Sequence, residues 1–170
     1  MRTFTLGLAA LAMLLVAGCA QDKGEKGEKK EHPSKAPRQV MDAVNARLPG
    51  AEVTNLEKET EGGNVVYDME LRHQGRKYEM DVKEDGTIME IEKEVSASDV
   101  PPAVTRTVET KYPGARIKEI MEVNKVSGKQ ETPDHYEVVI TTSAGKSKEV
   151  VVSLDGSGLK EEAAEENEKK

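Results

Sequence analysis

The sequence predicts an α+β fold with two tandem repeats, each made of one helix packed on a three- to four-stranded antiparallel sheet. The first observation is internal similarity, because RLPGA at residues 47–51 returns as KYPGA at residues 111–115. The second is that apolar residues recur at every fourth position before each of these blocks, which is the period of one helix face. The third is that apolar and polar residues alternate after each block, which is typical of half-buried strands.

The chain begins with a segment that has the length and polarity of a secretory signal. Arg2 supplies a positive charge, and an apolar run follows over residues 6–16. Such a run forms about 16 Å of helix, which is too short for a hydrocarbon core of roughly 30 Å. We therefore predict that residues 1–18 are a signal peptide that is removed on export.

The end of this segment, LVAGC at residues 15–19, resembles the lipobox of bacterial lipoproteins. Cys19 is the only cysteine of the chain and stands where that family attaches a diacylglycerol. The resemblance implies cleavage before Cys19, a lipidated N-terminus that carries palmitate, and a location in the cell envelope, at the outer membrane facing the periplasm in a Gram-negative host. The alternative is an ordinary signal peptide that contains a cysteine by chance.

Polar segments flank the part that is expected to fold. Residues 21–35 contain no apolar side chain apart from proline, so they cannot bury enough surface to offset the entropy of ordering. We predict that residues 19–35 comprise the lipidated cysteine and a flexible tether. We also predict that residues 161–170 form a charged C-terminal tail.

The two repeats are assigned to residues 36–95 and 96–160. Val40 and Val44 share one face of the first predicted helix. The strands that follow each helix place alternate apolar residues toward it, and all four tyrosines are expected to face these cores. The second repeat is longer between its matching blocks, and we predict that residues 126–134 (VSGKQETPD) form an extended loop.

Four short motifs in the second repeat resemble the PepSY-like, beta-lactamase-inhibitor-like domain family. They are VPPAV at residues 100–104, YPGA at 112–115, HYEV at 135–138 and VVSLDG at 151–156. The first repeat matches more loosely. The resemblance implies an exported bacterial protein, and its relatives include protease propeptide modules and beta-lactamase inhibitors that present a sheet surface to an enzyme. Those inhibitors rely on aromatic contacts, which four core-facing tyrosines do not supply, so beta-lactamase inhibition is not carried over.

Catalytic and ligand-binding motifs are missing from the sequence. His32, His73 and His135 do not have the spacing of metal ligands, and no serine lies in a nucleophile motif. A formal net charge of −7 argues against a nucleic-acid partner. We therefore predict no enzyme, with no catalytic, cofactor-binding or metal-binding residue and no cofactor.

One asymmetry between the repeats suggests a binding surface. Val139 and Val151 stand where the first repeat has Glu70 and Asp81, and Ile120 is expected to join them on the outward face of the sheet. An outward valine pair forms a small apolar patch on a charged surface. Two alternatives remain open, since the patch could pack against the other repeat or could bind a partner.

These observations predict a non-enzymatic, lipid-anchored envelope protein that binds an unidentified protein or peptide, with an inhibitor-like action on an envelope enzyme as one form of that binding. The alternative is a structural or stress-related envelope lipoprotein that binds cations or cell-wall material weakly. In both cases the lipid on Cys19 attaches the protein to the membrane.

Overall fold

A computed structural model describes residues 35–161 of the chain. The signal peptide, Cys19, most of the tether and the tail beyond residue 161 lie outside the described residues. The elements, in chain order, are α1 (Arg38–Arg47), β1 (Glu52–Glu61), β2 (Asn64–His73), β3 (Arg76–Lys83), β4 (Ile88–Glu94), α2 (Pro102–Lys111), β5 (Arg116–Ser127), β6 (Gln130–Thr141), β7 (Ser147–Ser153) and β8 (Leu159–Glu161). Within residues 35–161, neither helix is long and apolar enough to cross a membrane.

Both helices begin after a proline and end before a Pro-Gly pair. Pro101 precedes α2 and Pro102 occupies its first turn, where the missing N–H of proline costs no hydrogen bond. Each helix buries two valines spaced four residues apart, Val40 and Val44 in α1 and Val104 and Val108 in α2. This spacing places one apolar stripe of each helix on the sheet, as the sequence predicted.

The strands contribute the other half of two separate cores. In β2, Tyr67, Met69 and Leu71 are buried against α1 together with residues of β3 and β4. A second core forms between α2 and the strands β5 to β8, and its buried members include Ile120, Tyr136 and Val138. All four tyrosines pack in or against these cores, as the sequence predicted.

The predicted fold class was wrong in its architecture. The strands do not form two separate sheets under two helices, because they form one eight-stranded antiparallel sheet in the order β1 to β8. The pairing of β4 with β5 joins the two parts, with Glu90 opposite Lys125 at one end and Glu94 opposite Met121 at the other. Two separate sheets would leave the edges of β4 and β5 with unpaired backbone groups, and their pairing removes that cost.

The predicted loop at residues 126–134 was also wrong. β5 and β6 continue as a paired hairpin as far as Ser127 and Gln130. Pro133 lies in β6 next to a register shift, where a strand tolerates the missing N–H. The hairpin reaches the first part of the molecule, because Val126 packs on the core beneath α1.

Two Asp-Gly turns fix the helices on the sheet. A Cβ atom added at Gly156 would lie 2.5 Å from the carbonyl carbon of Ala103 in α2, and one added at Gly86 would lie 2.8 Å from the carbonyl oxygen of Gln39 in α1. The hydroxyl of Thr107 donates a hydrogen bond to the carbonyl of Gly156 at 2.6 Å. Each turn therefore touches helix backbone at a distance that only glycine permits.

Candidate partner-binding surface

Both helices lie on one side of the sheet, and we call the opposite side the helix-free face. Side chains alternate between the two sides of a strand, so the residues between the core positions point toward this face. Many of them are acidic, and the carboxylates come from successive strands: Glu57, Glu59, Asp68, Glu70, Glu79, Asp81, Glu90, Glu92, Glu119 and Glu137.

The register places like charges directly opposite one another. Asp81 lies between Asp68 of β2 and Glu90 of β4, and Glu79 lies between Glu70 and Glu92 in the next row. Such pairs destabilise a sheet, whereas pairs of opposite charge stabilise it. The helix-free face thus departs from the arrangement that stability alone would favour, as functional surfaces often do.

Asp68 shows the electrostatic consequence of this packing. Burial raises the pKa of its carboxyl group from 3.8 to about 7, with further contributions from the charges of Asp81, Glu79, Glu59 and Glu57. Near neutral pH a substantial fraction of the Asp68 side chains therefore carries a proton. The proton relieves part of the repulsion within its row.

Glu92 is perturbed more strongly, at the centre of the sheet. Burial is the largest cause, and the charges of Glu137 and Glu79 add to it, so that the pKa of Glu92 rises from 4.5 to about 9. At pH 7 the Glu92 carboxyl is protonated and donates a hydrogen bond to Glu137. The pair therefore shares one negative charge instead of carrying two.

His135 extends this polar network toward β7. Its Nδ1 atom lies 2.8 Å from Oδ2 of Asp134, and its Nε2 atom lies 3.1 Å from Oε1 of Glu137. Ser153 stands opposite His135 in the register, but its hydroxyl donates to Asp155 at 2.8 Å. The three residue types of a serine-hydrolase triad are therefore close together without the serine–histidine hydrogen bond that activates a nucleophile.

Two lysines and one arginine neutralise part of the acidic surface. Nη1 of Arg72 lies 3.8 Å from Oε2 of Glu94. Lys77 Nζ lies 2.6 Å from Glu79 and 3.3 Å from Glu119. Burial alone would lower the pKa of Lys77, but its hydrogen bonds and charge interactions with the two glutamates raise it overall. Lys125 forms an ion pair with Glu90 at the end of the other row. These cations leave the centre of the helix-free face acidic.

One set of carboxylates has the spacing of a cation site. Oxygen atoms of Glu90, Glu92 and Glu137 lie within 4.8 Å of one another, and hard divalent cations such as Ca²⁺ prefer oxygen ligands of this kind. Glu92 would have to release its proton before it could bind a cation. Sequence reasoning predicted no metal-binding residue, since these glutamates lie on two strands that are not adjacent.

The structure separates the three residues of the predicted surface. Ile120 is 2% exposed and belongs to the core beneath α2, so its assignment to the outward face was wrong. A register shift between Ile117 and Glu119 changes the phase of β5 and turns Ile120 inward. Val139 and Val151 are half-buried on the helix-free face and belong to neither core, so they do not join the two parts of the molecule.

The two valines, with the residues around them, define a surface that we call the valine patch. Val139 lies opposite Glu119 of β5 and Glu149 of β7. Val151 lies opposite Glu137 and Lys160. A depression of about 410 Å³ adjoins Val151 and is lined by Asp134, His135, Val151, Ser153, Gly158, Leu159 and Lys160. The patch therefore combines a small apolar centre with a mostly acidic border.

Crystal structures of several Bacteroides proteins have a similar fold. A BLIP-like protein from Bacteroides fragilis has 18% identity and a TM-score of 0.51, over 80% of this chain and 92% of that one. A protein from Bacteroides eggerthii that is described as periplasmic has 12% identity and a TM-score of 0.56, over 75% and 89% of the two chains. A DUF2874 family protein from Bacteroides uniformis has 14% identity and a TM-score of 0.56, over 75% and 90%.

These descriptions name a BLIP-like protein and a periplasmic protein. The sequence matches no protein-family model and no curated protein. At 12–18% identity the similarity establishes the fold alone. The lipid anchor and the PepSY-like assignment stay predictions. The resemblance to beta-lactamase-inhibitor-like domains is confirmed for the fold, and the chain has a BLIP-like fold.

Proposed function

We propose that this chain is a non-enzymatic, lipid-anchored protein of the cell envelope that binds a partner protein through the helix-free face of its sheet. The observation that carries the proposal is the valine patch, where two half-buried valines lie outside both cores on a sheet face that neither α1 nor α2 covers. Apolar side chains in such a position are typical of protein–protein contacts.

Three further observations support this function. The similar structures include a BLIP-like protein and a protein described as periplasmic, and the lipobox-like LVAGC at residues 15–19 predicts export and lipidation at Cys19. Among residues 35–161, the polar groups nearest to a catalytic arrangement lack an activated nucleophile, because the Ser153 hydroxyl donates to Asp155.

Site-specific photocrosslinking in the native envelope tests the proposal. A photoreactive amino acid replaces Val151 in the full-length protein, and a matched variant carries it at Thr110, which is exposed on α2. We expect a discrete crosslinked protein from position 151 that is absent from position 110 and weakened by Val139→Thr. Identical products from both positions, or none from either, would contradict partner binding at this face.

Divalent-cation binding is the second candidate function, and the approach of Glu90, Glu92 and Glu137 favours it. Calorimetry with Ca²⁺ on the full-length protein tests it, with Glu92→Gln as the variant and Glu109→Gln on α2 as the control. Specific binding at this triad predicts a saturable heat that Glu92→Gln abolishes and Glu109→Gln retains. A weak heat that is equal in all three proteins reflects general screening by an acidic surface.

A further inference from the structure

We propose that the partner segment bound at the valine patch is an extended, lysine- or arginine-rich strand with two apolar residues at alternate positions. This inference rests on the proposed function and adds the chemical class of the partner. It follows from the spacing of the two valines and from the sign of the charges around them.

The valine spacing matches an extended polypeptide. The register pairs Val139 with Glu149 and Glu137 with Val151, so the two valines are diagonal neighbours on adjacent strands. Diagonal neighbours lie roughly 7–8 Å apart. In an extended chain, side chains two residues apart point to the same side with a separation of about 6.8 Å. Two apolar residues at positions i and i+2 of a partner strand can therefore contact both valines.

The charges around the patch select the flanking residues of that strand. Glu119 and Glu149 lie on either side of Val139, and Glu137 lies beside Val151. Beyond Glu137, Met121 and Val123 of β5 are buried on the same face, and the like-charge rows of β4, β3 and β2 lie past them. An acidic partner would be repelled by this surface, whereas lysine or arginine side chains reach the carboxylates while their stems cover the valines.

The rows of carboxylates also extend the attraction beyond direct contact. Charges of one sign on a sheet face sum to a field that draws cationic segments toward it. Arg72, Lys77 and Lys125 are already engaged by Glu94, Glu79, Glu119 and Glu90, and Lys160 lies opposite Val151. These cations lower the field without reversing its sign, because the carboxylates of this face outnumber them. A second copy of the chain would present the same acidic face and would be disfavoured there.

Fluorescence anisotropy with defined peptides tests the inference on the full-length protein in detergent. The probe is a labelled Lys-Ser-Val-Ser-Val-Ser-Lys peptide, and the matched probe has glutamate in place of both lysines. We expect saturable binding of the lysine peptide and at least tenfold weaker binding of the glutamate peptide. The affinity for the lysine peptide should fall about tenfold between low salt and 0.5 M salt.

Two variants separate the apolar and charged contributions. The double variant Val139→Thr/Val151→Thr should weaken binding of the lysine peptide about fivefold or more. The double variant Glu119→Gln/Glu137→Gln should weaken it by a similar factor. Glu109→Gln on α2 is the control, and its affinity for the lysine peptide should stay within twofold of that of the unchanged protein. Circular dichroism confirms that each variant is folded before its binding is measured.

The outcomes distinguish this inference from the proposed function. Equal binding of both peptides, or binding that the four substitutions leave unchanged, overturns the cationic assignment. If the photocrosslink at position 151 captures a partner whose contact segment is acidic or neutral, partner binding stands and the cationic assignment fails. If the lysine peptide binds as expected but position 151 gives no crosslink in the envelope, the chemistry stands and the proposed function fails.

Discussion

The Nε atom of Arg47, the last residue of α1, lies 3.0 Å from Oε1 of Glu131 in β6. This ion pair connects the first helix to the far end of the β5–β6 hairpin, and Val126 on the same hairpin packs on the core beneath that helix. The pairing of β4 with β5 and these two contacts make the two parts of the molecule a single packed body.

The contact between the β5–β6 hairpin and the first core predicts that substitutions in the hairpin lower the stability of the protein. Val126→Ala removes apolar contact with the first core and should lower the free energy of unfolding by about 1 kcal/mol, since the side chain is only half-buried. Glu131→Gln should cost less, because Glu131 is exposed and such ion pairs contribute little. Urea unfolding monitored by circular dichroism measures both, and an equal loss from the two variants would show that the ion pair contributes as much as the Val126 contact.

The Asp-Gly turn at Gly156 is expected to tolerate no side chain. Gly156→Ala places a Cβ atom 2.5 Å from the Ala103 backbone at a φ of +72°, and we expect a loss of about 2–4 kcal/mol from clash and backbone strain. Gly145 has a similar φ of +78° but open space around it, so Gly145→Ala reports the backbone strain alone, about 1 kcal/mol. Equal melting temperatures for the two variants would contradict the close approach of turn and helix.

Glu92 should make the protein less stable as pH rises. Its pKa is raised from 4.5 to about 9 in the folded protein, so between these values the folded chain keeps a proton that the unfolded chain has lost. The resulting stabilisation is complete below pH 4.5 and disappears as pH rises toward 9, at a rate of up to about 1.4 kcal/mol per pH unit.

The variant Glu92→Gln isolates this effect, because glutamine is neutral at every pH and can still donate to Glu137. We expect it to raise the melting temperature most near pH 9 and to flatten the decline between pH 5 and pH 9. Glu109→Gln on the exposed side of α2 serves as the control. A melting curve for Glu92→Gln that declines as steeply as that of the unchanged protein would show that Glu92 does not hold the proton.

Ile120 and Val139 should respond in opposite ways to substitution. Ile120→Ala opens space in the core beneath α2 and should cost about 2–5 kcal/mol of stability. Val139→Thr changes a half-buried residue outside both cores and should alter stability by less than about 1 kcal/mol. Thermal unfolding of the two variants checks this, and a large loss from Val139→Thr would mean that the valine patch is a structural contact.

The predicted lipid anchor at Cys19 is tested by metabolic labelling. Cells that express the full-length chain should incorporate radiolabelled palmitate into it, and Cys19→Ala should abolish the label. A Cys19→Ala protein that stays in the membrane fraction and retains label would contradict lipidation at this position.

Periodic features of the sequence predicted the local elements well. Val40 with Val44 and Val104 with Val108 identified the helix faces, and the alternation around Met69 identified β2. These signals are local because each depends on side chains a few residues apart on one element.

The errors in the sheet architecture and at Ile120 came from interactions that the local pattern does not contain. The β4–β5 pairing satisfies edge backbone groups, and no residue type along either strand encodes its neighbour. Ile120 points into the core because the register shift between Ile117 and Glu119 changes which side of β5 the following residues face. The acidic pair Glu92–Glu137 was not predicted either, because the two residues become neighbours only across the sheet.

The strand order has a consequence for how the chain folds. Each strand pairs with the next one along the chain, from β1 to β8. Within β1–β4 and within β5–β8 short loops close the hairpins, so the entropy lost in each closure is small, whereas the β4–β5 connection is longer because it contains α2. A sheet of this kind can grow hairpin by hairpin within β1–β4 and within β5–β8, and the β4–β5 pairing then joins the two halves. Most β proteins fold slowly because they pair distant segments, and this meander avoids that delay.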